Sequence, residues 1–201
     1  MTDSGQTYNF SYTGFSLRIS ETSIVAEARL SGREFDAIKE IAGGKTSTAK
    51  NFLNEINKRL ETLTKAQLHL LAYGTRTQQK QIALLAVCKV HHFIRDFVIE
   101  VLREKMLVFD NLLSEGEYIS FIRRKADLHP EIEEMTEVSQ KKIKQVTFKI
   151  LEQAGLIDNS QTKIIQPQIL DSETIRAIVS DDKNWLQLFF WSDMDIKNIS
   201  T

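Results

Sequence analysis

The chain has 201 residues, 42% of them hydrophobic and 26% charged, with a formal net charge of -1. That is enough apolar material to bury a core, which excludes a disordered chain, and too little net charge to draw in a polyanion at long range. A nucleic-acid surface would have to arise from local segregation of charge.

Charge is segregated. From Thr62 to Arg95 there is no Asp or Glu, whereas Asp110 to Glu137 is rich in acids set against Arg123, Arg124 and Lys125. The single cysteine, Cys88, sits in the apolar run IALLAVC and reads as a small core residue of a reducing compartment. No secretory leader is read at the start, and no apolar run approaches the ~20 residues of a bilayer span, because Lys89, His91, His92 and Arg95 interrupt the best candidate. The expected location is cytoplasmic, with no membrane contact.

Only two prolines, Pro130 and Pro167, break a sequence dominated by a 3.6-residue period, so the fold class expected is mainly α, a compact helical bundle. Tyr8, Phe10 and Tyr12 alternate with Asn9, Ser11 and Thr13, which suggests an extended arm or short strand before Gly14. Helices are expected at 20–30, 33–42, 47–60, 65–72, 78–106, 115–126 and 138–154. The 78–106 segment is apolar over a wide arc, from Ile82 and Leu85 through Phe93 and Phe97 to Val101, and should be the central core helix. The acidic, proline-containing run from Asp127 to Glu137 marks a candidate boundary between a helical bundle, 1–126, and a winged-helix-like unit, 127–201, although the two could form one continuous domain. A helix over 172–180 and the bulky run WLQLFFW from Trp185 follow, and that run has to dock on the core or on a partner.

Two helix faces carry the candidate chemistry. In the segment from Val138 to Ala154, Ile143, Val146, Ile150, Leu151 and Ala154 share one arc, while Lys141, Lys142, Gln145 and Lys149 fall on the opposite one, with Lys144 in the same basic stretch. Gly155 stands where a helix end wants a left-handed residue, and Leu156 and Ile157 can fold back on the last turn. Asn159 and Ser160 supply turn chemistry, and Ile164-Ile165 with Ile169-Leu170 are two short strand candidates, a small C-terminal β-wing bearing Lys163. Pro167 would keep any such strand short or at an edge. The second face lies in Arg33 to Leu60, where a short helix, a Gly43-Gly44 turn and a second helix follow with helix-turn-helix spacing. There Ala49, Phe52, Leu53, Ile56 and Leu60 pack, while Lys45, Ser47, Lys50, Asn51, Asn54 and Lys58 form the polar side. Lysines can neutralise phosphates, Asn and Gln can reach base edges, and a helix start offers free N–H groups. Each pattern also fits an ordinary solvated helix face.

Other chemistry is not legible. Adjacent His91 and His92 point about 100° apart on a helix and cannot ligate one metal as an i,i+4 pair would. Glu131, Glu133 and Glu134 after Pro130 read as a helix N-terminus or solvated charge. Gly43-Gly44-Lys45-Thr46 matches the end of a phosphate loop, but Lys39 stands where its first glycine should be. No catalytic residue, metal site or cofactor is expected, and enzyme activity is not.

The strings TGFSLRISETSIVAEARLSGREFDAIKE, STAKNFLNEINKRLETL, LAVCKVHHFIRDFVIEVLREK and KKIKQVTFKILEQAGLID, collinear over about residues 10 to 170, resemble the BrxA family of BREX bacteriophage-defence systems. The resemblance implies a small, non-enzymatic, mostly helical bacterial protein, likened in fold to the antitermination factor NusB, with a DNA-binding role inside a multi-protein defence complex. Together with the basic faces, it leads to the expectation of an accessory protein that contacts duplex phosphates with low sequence specificity, with other defence subunits as partners and homodimerisation left open. The alternatives are an assembly adaptor that holds larger subunits together, or RNA binding in the manner of NusB.

Overall fold

The computed structural model describes residues 7–36 and 46–199, and of residues 46–49 the backbone alone. The Gly43-Gly44 turn, Lys45 and most of the expected 33–42 helix lie outside the described residues; residues 33–36 are not helical. In chain order the helices are α1 (Ile19–Ser31), α2 (Thr46–Glu61), α3 (Lys65–Tyr73), α4 (Arg76–Val90) and α5 (His92–Phe97). A π-helical segment, Val98–Arg103, leads into α6 (Glu104–Leu107), followed by α7 (Glu115–Ala126), α8 (Pro130–Glu133), α9 (Glu137–Ala154), α10 (Ser172–Asp182), a 3-10 stretch Lys183–Phe189, and α11 (Asp193–Asn198). The fold is mainly α, as the periodicity requires.

Helix starts follow their side chains. Thr64 with Gln67, Thr75 with Gln78 and Ser114 with Glu117 form reciprocal capping boxes at the heads of α3, α4 and α7, each satisfying backbone N–H groups that the first turn leaves free. The far end of α9 is set by Gly155 at φ +78°: Gly155 N donates to Glu152 O and Leu156 N to Leu151 O, which turns the chain and drops Leu156 and Ile157 into the core.

Three expectations are corrected. The segment from Tyr8 to Thr13 forms no strand; a 3-10 turn at Ser11–Gly14 folds it inward, where the Tyr8 hydroxyl donates to Asp96 at 2.7 Å and the Tyr12 hydroxyl pairs with Thr147 at 3.0 Å. The 78–106 helix is broken at His91, whose backbone leaves the helical region (φ -114°, ψ 87°). The β-wing is absent, and no strand forms among the described residues. Asn159 does close a turn, its side chain accepting from Gln161 N and Thr162 N at 2.9 Å, but Ile165 then bridges back to Ile157, and Ile164 to Leu112. Ile169 is left 82% exposed. The reason is Pro167: without an N–H it cannot sustain a ladder between the two isoleucine pairs, so the 163–166 stretch finds its backbone partners at 156–158 and 111–113 instead.

The core is one hydrophobic cluster to which buried residues from both sides of the 127–137 run contribute, among them Tyr8, Phe93, Phe121, Ile132, Ile150 and Leu188. In α4 every residue from Gln81 to Cys88 is buried, as a helix surrounded by others must be. Cys88 is one of these, its thiol pKa raised by burial. The aromatic tail docks on this core: Leu186, Leu188 and Phe189 are buried, Trp185, Phe190 and Trp191 pack against the cluster, and Arg103 Nε donates to Trp191 O at 2.8 Å.

A buried polar cluster ties the two halves of the helix array to the opening segment. Arg59, 1% exposed, donates from Nε to Glu55 at 3.0 Å and from its two terminal nitrogens to the carbonyls of Ser16 and Phe15, both at 2.9 Å. His91 Nε2 donates to the same Glu55 oxygen at 2.6 Å, which is what the helix break makes room for. Burial pushes the Glu55 carboxyl up, but the bond from His91 and the charge of Arg59 outweigh it and hold the group at about 2, below its ordinary 4.5. A carboxyl depressed on folding contributes stability that is complete above its unfolded value and is lost as pH falls through the folded one. The melting temperature is therefore expected to fall as pH is lowered from about 4.5 toward 2, and to fall less steeply in Glu55→Gln, which starts lower; thermal denaturation across pH 7 to 3 checks both.

Candidate nucleic-acid interface

α9 is amphipathic in the predicted sense. Ile143, Val146, Phe148, Ile150, Leu151 and Ala154 are buried, and Lys141, Lys142, Gln145 and Lys149 are exposed on the other side, with Lys144 half-buried. The helix cannot roll or slide without exposing that underside, so the lysines are presented by a rigid ridge. Beside it runs a groove of about 540 Å³ lined by Lys141, Lys142, Lys144, Lys149 and Lys163. Gln145 lines it too, as do Ser16 and Ser160 from two loops.

Lys163 reaches the groove from the segment that was expected to be a wing. It sits at φ +54°, with Nζ 5.6 Å from the centre of the Phe148 ring and 3.3 Å from Gln161 O. The bridges to Ile157 and Leu112 hold this segment against the start of α7, so Lys163 is placed without a hairpin.

Two of the five lysines are already paired. Lys144 contacts Glu115 at the start of α7, and Lys149 bonds Glu152 at 2.9 Å. These are surface pairs, of the kind worth about 0–1 kcal/mol, weak enough for a phosphate to displace. Lys141 and Lys142 have no ion-pair partner among the described residues. The groove therefore keeps a net positive lining.

The second predicted face is placed as follows. On α2, Phe52, Ile56 and Leu60 are buried and Leu53 packs against the core, while Lys50, Asn51, Asn54 and Lys58 are exposed. Glu55, the acid in the middle of this helix, points inward to Arg59 and His91, so it does not offset the lysines outside. Ser47 lies in α2 by its backbone, its side chain and all of Lys45 being outside the described residues. None of the described α2 side chains lines the groove beside α9. What connects the two helices is the stretch Phe15 to Arg18: Arg59 of α2 holds the carbonyls of Phe15 and Ser16, Gln153 of α9 accepts from Leu17 N at 2.8 Å, and the Arg18 guanidinium lies 5.1 Å from the centre of the Phe52 ring.

Sequence reasoning missed Ser16 and Ser160 on the groove: Ser16 is far from α9 in the chain, and Ser160 reads only as a turn residue, although its N–H returns to Glu152 of α9 in the fold. Phe148 was legible as part of α9 but not as the support under Lys163. In the acid-free stretch between Thr62 and Arg95, Lys65 and Arg76 are exposed, but Lys89 is drawn inward to Thr62 O, Gln67 and Asp181, and none of the three lines the groove. Among the described residues no group of three or more His, Cys, Asp and Glu is placed to hold a metal ion, and no helix is long and apolar enough to cross a membrane.

Fold and groove together define a small helical protein with a cationic channel along one helix. The BrxA family model matches residues 6–182, and the chain belongs to the BrxA family. It is 25% identical over 168 residues to the BREX protein BrxA of Escherichia coli O9:H4 (strain HS), covering 80% of this chain and 79% of that protein. It is 23% identical over 133 residues to the BREX protein BrxA of Bacillus cereus (strain H3081.97), covering 66% of each. The crystal structure of an uncharacterized protein from Magnetospirillum magneticum superposes with a TM-score of 0.76, covering 92% of this chain and 98% of that one at 18% identity, a likeness of fold.

Proposed function

We propose that this protein is a non-enzymatic DNA-binding accessory factor of a BREX phage-defence system, working alongside other defence subunits. Family membership supports the defence role, since both curated relatives carry the name BREX protein. The observation that carries the DNA reading is the convergence of five lysines, from one helix and the loop that follows it, on a single open groove. Lysines are point charges on flexible stems and suit phosphates more than base edges, so binding is expected to be mainly electrostatic and weakly sequence-specific. Gln145, on the same groove, is the residue suited to a base edge. The exposed Lys50, Asn51, Asn54 and Lys58 offer a second contact on α2.

Two rival readings have less support. RNA binding in the manner of NusB would call for aromatic rings on which splayed bases stack, and the ring beside this groove, Phe148, is buried. An assembly adaptor built on the aromatic tail has less apolar surface to offer, because Leu186, Leu188 and Phe189 are buried and Trp185, Phe190 and Trp191 pack half-buried against the core.

The test is a fluorescence-anisotropy titration of a labelled duplex across several salt concentrations. With roughly three to five phosphates neutralised, log affinity should fall against log salt with a slope of roughly -3 to -4.5. Absence of duplex binding at about 50 mM salt, where this electrostatic contribution is large, rejects the reading. Tighter binding to single-stranded RNA of the same sequence would replace it with the RNA alternative.

A further inference from the structure

Phe109, just past the end of α6, is 96% exposed, the most exposed large apolar side chain among the described residues. Its backbone lies in the left-handed region at φ +61°, with Phe109 N donating to Met106 O and Asp110 N to Lys105 O, the arrangement in which a helix ordinarily ends on glycine. A bulky L residue is strained there, and an exposed ring returns nothing to the core in compensation. Phe190 takes the same left-handed conformation at the end of its 3-10 stretch, but its ring packs against the hydrophobic cluster. Local packing therefore accounts for Phe190 and not for Phe109.

The loop that carries Phe109 is pinned to the edge of the lysine groove. Leu113 N donates to Lys163 O at 3.1 Å, Ile165 N donates to Asn111 O at 2.7 Å, and Glu115 at the start of α7 pairs with Lys144. Lys163 and Lys144 are both groove lysines. Val108 and Leu112, on either side of the ring in sequence, are exposed as well, and Ile164 is bridged to Leu112. The neighbouring carboxylates Asp110 and Glu117 are both ion-paired with Lys105.

We propose that Phe109 is an apolar wedge that enters between base pairs of a duplex lying across the lysine groove, unstacking one step and bending the DNA. The proposal rests on the DNA-binding reading above and deepens it. An apolar ring held out in solvent at a helix end, on a loop whose backbone is bonded to the segment of a groove lysine, matches what wedge-inserting architectural proteins present to a minor groove. The adjoining lysines are what select a polyanion, over an apolar protein face, as the occupant. The chemistry recognised is the face of a base stack, so steps that unstack easily, such as TA, are the preferred points of entry.

The test uses the full chain and a duplex carrying 2-aminopurine at a central TA step, read by anisotropy for affinity and by 2-aminopurine emission for unstacking. Wild type should raise the emission on binding. Phe109→Gly, which suits the left-handed backbone, should melt no lower than wild type, bind about tenfold more weakly and give no rise, with its salt slope unchanged because no lysine has been touched. Phe109→Met, another wedge-competent side chain, should keep the rise. Equal affinity and equal emission for wild type and Phe109→Gly overturn the wedge and leave the groove reading standing. A Phe109→Gly defect confined to single-stranded RNA overturns it too, and wild type that binds no duplex at low salt removes both.

Discussion

Replacing Lys141, Lys142 and Lys149 together by glutamate is expected to weaken duplex binding by a few hundredfold at about 0.1 M salt. The magnitude follows from counterion release: each phosphate contact contributes about 0.9 to the slope of log affinity against log salt, or roughly eightfold in affinity at 0.1 M relative to 1 M, and three such contacts multiply to several hundredfold. The same substitution should flatten the salt slope by about 2.7. The fold should be nearly indifferent, because all three side chains are exposed on the outer arc of α9 while the residues that anchor the helix lie on the other. The expected cost to stability is a few tenths of a kcal/mol, from glutamate at position 149 facing Glu152 one turn on in place of the present attraction. Anisotropy against salt, with melting curves of the same samples, separates the two effects. Binding unchanged by the triple reversal would reject the groove as the contact surface.

Glu55→Ala is expected to destabilise the fold severely, costing about 3–5 kcal/mol. Removing the carboxylate leaves the Arg59 guanidinium, 1% exposed, with two backbone carbonyls and no counter-charge, and leaves His91 Nε2 without its acceptor. For a chain of this size about 2–4 °C of melting temperature accompany each kcal/mol, so a fall of roughly 6–20 °C should be seen by thermal denaturation. Glu55→Leu combined with Arg59→Met, which removes both charges, should recover much of the loss, because an unpaired buried charge costs more than the absence of a pair. A decrease below about 1 kcal/mol for Glu55→Ala would show that Arg59 reaches water or another acid. The effect would extend to the groove, since Arg59 fixes the carbonyl of Ser16 and Ser16 lines it.

These two substitutions mark the limits of what local sequence conveys. The helical phase of α9 separates Lys141, Lys142, Gln145 and Lys149 from Ile143, Val146 and Ile150, and any correct helix there must put them on opposite sides. Gly155, the turn at Asn159 and the starts of α3 and α7 are legible for the same reason, being set by residues within a few positions of one another. Glu55 shows the opposite case. Nothing near it in the sequence of α2 marks Glu55 as buried, and its bond to His91, 36 residues away, is invisible until the chain is folded. The break at His91 and the burial of Tyr8 and Tyr12 depend likewise on partners far along the chain.

By itself the sequence determined that the chain is mainly helical, which apolar residues of α9 face inward, and that α9 presents a lysine ridge, because periodicity, capping and turn chemistry act over four or five residues. The folded chain alone decided that Lys163 joins that ridge without a β-wing, that the aromatic tail belongs to the core, and that a strained, exposed phenylalanine stands on the loop bonded to the Lys163 segment. Those outcomes depend on which distant backbone groups and side chains satisfy one another's hydrogen bonds and buried charges, and no local pattern specifies that pairing.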